Sequence, residues 1–178
     1  VTKTLQNIAN QIDRLNDWVG RMVSWLTLAM VLITFLVVIL RYLFDLGWIA
    51  LQESISYMHC LVFMLGISWT LKNNGHVRVD IIYQRCRPKK RALFDLLGTI
   101  LLLMPVTIFI FYASLDYVAN SWGQLESSRE AGGLPGVFLL KSLIPLTACL
   151  LFLQGIAMIC RSLLVITGQT NKEDRQWS

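Results

Sequence analysis

Four long stretches of this sequence contain no Asp, Glu, Lys or Arg: Met22 to Leu40, Ser54 to Leu71, Leu96 to Leu115 and Ser142 to Cys160. A carrier that works alone needs a polar path made of intramembrane carboxylates, broken helices or repeats that meet near the midplane, so this lack argues against autonomous transport. Histidine is nearly absent as well. There are two, His59 in the second stretch and His76 in the loop after it. A haem held by two histidines would need a second one on a facing helix, which argues against a haem-bearing membrane anchor. The four cysteines, Cys60, Cys86, Cys149 and Cys160, have no CxxC spacing, which predicts neither disulfide nor metal site. No phosphate-binding glycine loop, HExxH or GxSxG is present. Catalysis has no evident seat, and no cofactor is expected.

What the chain has instead is apolar length. It is 55% hydrophobic and 15% charged, with a mean hydropathy of +0.56, outside the range of soluble domains. The four uncharged stretches are 19, 18, 20 and 19 residues long, close to the roughly 20 that a helix needs to cross about 30 Å of hydrocarbon. The fold class is therefore an all-α integral membrane protein with four transmembrane helices in one domain, residues 1–168, followed by a polar tail, 169–178. Val1 predicts a processed or trimmed start, and with no cleavable leader before it the first span is expected to act as its own targeting signal.

The net charge of +5 does not read as nucleic-acid binding, because thirteen of the sixteen basic residues fall on one side of the predicted spans. Seven lie in the loop Lys72 to Arg91, three in the N-terminal segment through Arg21 and three from Arg161 onward. Short basic loops stay on the cytoplasmic side, so both termini are predicted to be cytoplasmic.

Apolar residues at Leu5, Ile8, Ile12, Leu15 and Val19 recur at steps of three and four, the pattern of an amphipathic helix. It is expected along the membrane surface or against a partner's helices, with Trp18 and Trp25 as interfacial anchors and Trp48 in the same role outside. Glu53 opens the second span, where the helix dipole favours an acid; a salt bridge to another helix is the sharper alternative. His59 is expected to be a neutral hydrogen-bonding residue at a helix interface, ahead of a proton relay. Asn73-Asn74-Gly75 should end the second helix, with Asn74 or Gly75 in the left-handed cap conformation. Arg78 and Asp80 alternate with apolar residues and suit an ion pair or partner contact as well as solvent. Pro88 begins the third helix, placing Lys89, Lys90 and Arg91 at the anionic lipid surface. Past the third span Leu115, Val118, Trp122 and Leu125 keep helical spacing, predicting a helix that bends along the outer surface. Gly132-Gly133-Leu134-Pro135 stops it. Lys141 then sits near the start of the fourth helix, where the dipole disfavours a cation, and Glu53, Glu126 or Glu130 is expected to compensate.

Several of these residues together resemble a known family. Glu53 opens the second span, Gly75-His76-Val77-Arg78-Val79-Asp80 comes after it, and Gly132-Gly133-Leu134-Pro135, Lys141-Ser142-Leu143-Ile144-Pro145-Leu146 and Leu153-Gln154-Gly155 come later in the same order. Over roughly Arg41 to Gly168 the chain is similar to the small membrane subunit, DctQ-like, of tripartite ATP-independent periplasmic (TRAP) transporters. The resemblance implies a bacterial or archaeal cytoplasmic membrane. Its implied partners are a large many-span subunit that carries solute with sodium and a periplasmic substrate-binding protein that delivers an organic acid or related solute. It also implies structural or interface roles for Glu53, Gly75, His76, Arg78, Asp80 and Lys141. A respiratory-enzyme anchor and a small exporter are the competing expectations.

Overall fold

The structure, a computed structural model, describes residues 2–76 and 86–168. Among them there is no strand, and each apolar run lies inside one helix: α1 (Thr2–Leu43), α2 (Ile49–Lys72), α3 (Pro88–Gly123) and α4 (Val137–Thr167). All four are long and apolar enough to cross a membrane. The chain is an all-α, multi-pass membrane protein.

The bundle is arranged around α4, which packs against each of the other three, while α1 and α2 pack on each other and α3 packs chiefly on α4. The most apolar window of α4 is 44% buried, against 6% for α1 and α2 and 11% for α3. Most of its inward positions are small or polar, Thr147, Ala148, Gln154, Gly155 and Ala157 among them, with Leu143, Leu150 and Leu164 as the large apolar exceptions. Small side chains let helix backbones approach where lipid supplies no hydrophobic drive. A β-carbon at Gly155 would stand 3.1 Å from both the Leu103 and Met104 side chains.

Those two residues lie where α3 changes its winding. Thr99–Leu103 forms a π-helical turn, and the amide of Met104 reaches back to the carbonyl of Thr99. Pro105 explains this, since it has no amide to donate and its ring crowds the carbonyl four residues earlier; a widened turn absorbs both faults. The Thr107 hydroxyl, buried, donates to the carbonyls of Leu103 and Met104 at 2.9 Å each.

The amphipathic segment and the first span are a single helix of 42 residues, about 63 Å at 1.5 Å per residue, twice the hydrocarbon thickness. Its N-terminal half is satisfied partly by this protein itself. Ala9 packs with Ala157 and Cys160 of α4, and Leu5 and Ile12 lie against that cluster. Ile8 and Leu15 stay 39% and 40% exposed.

Two helix ends show how the chain stops. At the end of α2 Asn74, with φ 53°, takes the left-handed position, and the Gly75 amide donates to the Thr70 carbonyl at 2.9 Å. The same closure ends α3. Leu125 has φ 45°, and the Glu126 amide donates to the Ser121 carbonyl at 3.1 Å. The outer-surface helix expected after the third span is therefore not a separate element. Leu115, Val118 and Trp122 extend α3 itself, and Leu125 is already past its end. Its apolar side chain keeps the helical spacing while its backbone leaves the helix, a conformation that costs a non-glycine residue about 1–2 kcal/mol. Leu125 is 65% exposed, so little packing is lost on its removal. Leu125→Gly should raise stability by about 0.5–1 kcal/mol, read as a higher unfolding midpoint in detergent.

Candidate functional site: polar latches at both ends of the bundle

The first latch joins three helices at one end of the bundle: the N-terminal half of α1, the C-terminal end of α2 and the second half of α4. Asp13, Asn16 and Asp17 occupy one face of α1 by the i, i+3, i+4 rule. The Asn16 amide donates to Gln154 Oε1 of α4 at 2.6 Å, and the Ser68 hydroxyl of α2 donates to Asn16 Oδ1 at 2.9 Å. All three residues are fully buried. On either side of this neutral knot sits an ion pair, Asp13 with Arg161 of α4 and Asp17 with Lys72 of α2, the latter at 2.5 Å. Lys72 Nζ also donates to the Asp13 carbonyl at 3.5 Å. Each negative side chain of α1 thus faces a cation on a different helix, and the two pairs fix the rotation of α1 against both neighbours. Gln154 Nε2 and Asp13 Oδ1 remain buried without a hydrogen-bond partner.

The second latch closes the opposite end. Glu53 of α2 does not cap its helix, and among the described residues it pairs with no cation. Its carboxylate accepts the Ser128 hydroxyl and, at 2.6 Å, the Leu134 amide, gripping the loop between α3 and α4. Gly133 makes the grip possible, because a β-carbon there would stand 2.6 Å from Ser128 Cβ and 2.7 Å from the Glu53 carboxylate. Ser128 in turn closes the loop on itself, its amide donating to the Leu134 carbonyl at 3.2 Å. Beside it, Lys141 of α4 pairs with Glu126 and lies 4.1 Å from the centre of the Tyr117 ring. Of the three acids expected to offset this cation, Glu126 is the one that does so. Trp122 Nε1 donates to Ser142 Oγ at 2.8 Å, and its ring meets Phe138 edge-on at 4.7 Å, so the end of α3 is tied to the start of α4.

The Lys141 ammonium, and after it the Ser121 hydroxyl, hold the Glu126 carboxyl below its ordinary value. A carboxyl shifted down on folding contributes stability that is fully present above the unfolded value, about 4.3, and is lost as pH falls through the lower folded value. The difference in unfolding midpoint between the wild-type chain and Glu126→Gln should accordingly be constant above about pH 5 and shrink below about pH 4.

The remaining sequence candidates fall outside these latches. Gly75 closes α2 and His76 is exposed beyond it, whereas Arg78 and Asp80 lie outside the described residues. Trp18, Trp25 and Trp48 are 58%, 71% and 65% exposed. Lys89 and Lys90 are exposed at the start of α3, and Arg91 turns back to donate to the Cys86 carbonyl at 3.1 Å. Among the described residues, no group of three or more His, Cys, Asp or Glu side chains is placed to hold a metal. Sequence reasoning does not find Asn16, Ser68 or Gln154 as a site, nor the Asp13 and Asp17 pairs. One signal is present: Gln154 is the sole amide in the fourth apolar run, and a buried amide requires a partner.

Residues 30–165 match the family model described as tripartite ATP-independent periplasmic transporters, DctQ component. The chain is also similar to a Haemophilus influenzae protein whose name describes it as a TRAP transporter small permease protein. Identity is 27% over 154 residues, covering 85% of this chain and 88% of that protein. No solved structure matches it significantly. The family resemblance read from Glu53 and the later blocks is borne out. Geometry also joins pieces of it that the sequence keeps apart: Glu53 accepts the Leu134 amide across the space that Gly133 leaves open, and Gln154 is the α4 member of the buried knot.

Proposed function

The chain belongs to the DctQ component of the tripartite ATP-independent periplasmic transporters, and from that premise we propose that it is a fixed scaffold bracing a large, sodium-coupled membrane subunit. Together they would take up an organic acid or related solute delivered by a periplasmic binding protein. One observation carries this reading: the ion pairs and buried amides hold the chain's own helices to one another at both ends, while the four apolar runs between them contain no Asp, Glu, Lys or Arg. Such a molecule has the makings of a brace and none of a carrier or an enzyme. The bias of thirteen basic residues to one side supports the cytoplasmic membrane with both termini inside,. On that orientation the loop gripped by Glu53 faces the periplasm.

In this reading Glu53, Gly75 and Lys141 act by holding the chain's shape, and His76, Arg78 and Asp80 meet the large subunit on the cytoplasmic side. Arg78→Ala or Asp80→Ala should reduce recovery of the large subunit with this chain. Unchanged recovery with lost transport would instead give the two residues a part in the transport step. The scaffold reading itself is tested by affinity purification from native membranes in mild detergent, with mass identification of what accompanies the chain. A many-span subunit at fixed ratio is the expected result. Recovery with a haem or flavin enzyme, or transport by this chain alone, would overturn it.

A further inference from the structure

One face of α2 is out of place in lipid. Gln52, Ser56, His59 and Phe63 succeed one another at steps of four, three and four, which puts them within one narrow stripe of a helix. All four are exposed, Phe63 by 66%. α2 has 24 residues, and His59 lies ten from its outer end, about 15 Å along the axis at 1.5 Å per residue. That is well inside a span of this length, so the imidazole, with the Ser56 hydroxyl one turn nearer the surface, points away from the bundle where lipid tails would surround it, and Gln52 continues the stripe to the head of the helix beside Glu53.

The exposed threonine hydroxyls of the first span are satisfied at home. Thr27 Oγ1 donates to the Val23 carbonyl at 3.3 Å and Thr34 Oγ1 to the Met30 carbonyl at 2.7 Å. The side chains of Gln52, Ser56 and His59 make no hydrogen bond to another described residue. This stripe helps make α2 the least apolar of the four helices. Lipid tails offer no hydrogen-bonding group, whereas a neighbouring helix does, and polar side chains within a span characteristically bond across helices.

We propose that the Gln52–Ser56–His59 stripe is the intramembrane docking face for the large subunit, and that a helix of that subunit presents hydrogen-bonding side chains at the depth of His59. This rests on the scaffold reading and adds to it which face is covered and by what chemistry. The outward faces of α1 and α3, led by Phe35 at 64% and Phe109 at 71% exposure, are chiefly aliphatic and aromatic, with Tyr112 the most exposed polar-tipped side chain of the third span at 68%.

The test places a photo-crosslinking amino acid at Ser56 or Phe63, and as controls at Phe35 or Phe109, in membranes holding both subunits. Crosslinks from the α2 positions to the large subunit, identified by mass, and none from the controls are expected. His59→Leu should weaken association roughly three- to twenty-fold, the span measured for hydrogen bonds between membrane helices, while the isolated variant keeps the wild-type unfolding midpoint. Crosslinks from α2 to lipid alone or to a second copy of this chain, or to the large subunit from Phe109 only, would overturn the proposal, as would undiminished association of His59→Leu. If the wild-type chain fails to co-purify the large subunit at all, the scaffold reading falls, and the crosslinks then have no partner to find. A wild-type complex whose large subunit crosslinks elsewhere sinks only the choice of face.

Discussion

Asn16→Ala should destabilise the isolated protein by about 2–4 kcal/mol, since it strands buried Gln154 Oε1 at about 1–3 kcal/mol and takes from buried Ser68 a hydrogen bond worth about 1 kcal/mol. Gln154 Oε1 loses its donor, and the Ser68 hydroxyl loses its shorter acceptor and keeps only the Leu65 carbonyl at 3.4 Å, in a site where all three residues are buried. The effect should not be additive. Once Asn16 is gone, Gln154→Leu removes a stranded amide and should recover part of the loss, so a double-mutant cycle of thermal or denaturant midpoints should return a coupling of about 1–2 kcal/mol. Replacing all three residues by apolar ones of similar size should lie close to wild type in stability. A single mutant within about 0.5 kcal/mol of wild type would mean that the three helices are held by their apolar contacts and ion pairs alone. The knot's value then lies in register. Three apolar helices can slide or rotate past one another at little cost, and a triple of buried polar side chains permits one setting.

How much of this is legible in the sequence differs by level. The four spans and their order come from Met22 to Leu40 and its three counterparts, because an uncharged run of that length has few other uses. The helix ends are half legible. Asn73-Asn74-Gly75 announces a stop and leaves open only the choice between Asn74 and Gly75, whereas Leu125 carries no sign that it will adopt φ 45°. A left-handed leucine is imposed by its neighbour in the chain, here Glu126, which is engaged with Lys141 and Ser121. The latches are the least legible. Asp13 and Asp17 look like the solvent face of an amphipathic helix, and only the arrival of Lys72 and Arg161 from elsewhere in the chain makes them internal. Glu53 stands out as a residue but not in its role: a carboxylate in the first turns of a helix suits the dipole, but its partners are a hydroxyl 75 residues away and an amide 81 residues away. Periodicity reports which face is apolar. It carries no record of which distant group a polar side chain will meet.

Glu53 also gives the second large effect. Glu53→Ala should free the loop between α3 and α4, because it removes the acceptor shared by the Ser128 hydroxyl and the Leu134 amide. The most direct reading is amide exchange at Leu134, whose N–H ends on the Glu53 carboxylate. Its protection should fall by about 10- to 150-fold, the factor that a hydrogen bond to a charged acceptor is worth, while exchange near Asn16 at the opposite end of the bundle stays as it was. Gly133→Ala should produce the same loss by another route, leaving the carboxylate in place and filling the space it occupies, since the new β-carbon would overlap both Ser128 and Glu53. Glu53→Gln separates charge from shape: it can still accept the Leu134 amide, so it should fall between wild type and Glu53→Ala. If Glu53→Ala and Gly133→Ala leave Leu134 fully protected, the loop is held by Trp122, Phe138 and the Lys141 pair instead. If both release it, one carboxylate at the head of α2 sets the shape of the loop between α3 and α4, the surface that on the proposed orientation faces the periplasm. Solute uptake should then fall in these variants although the large subunit is still recovered with them.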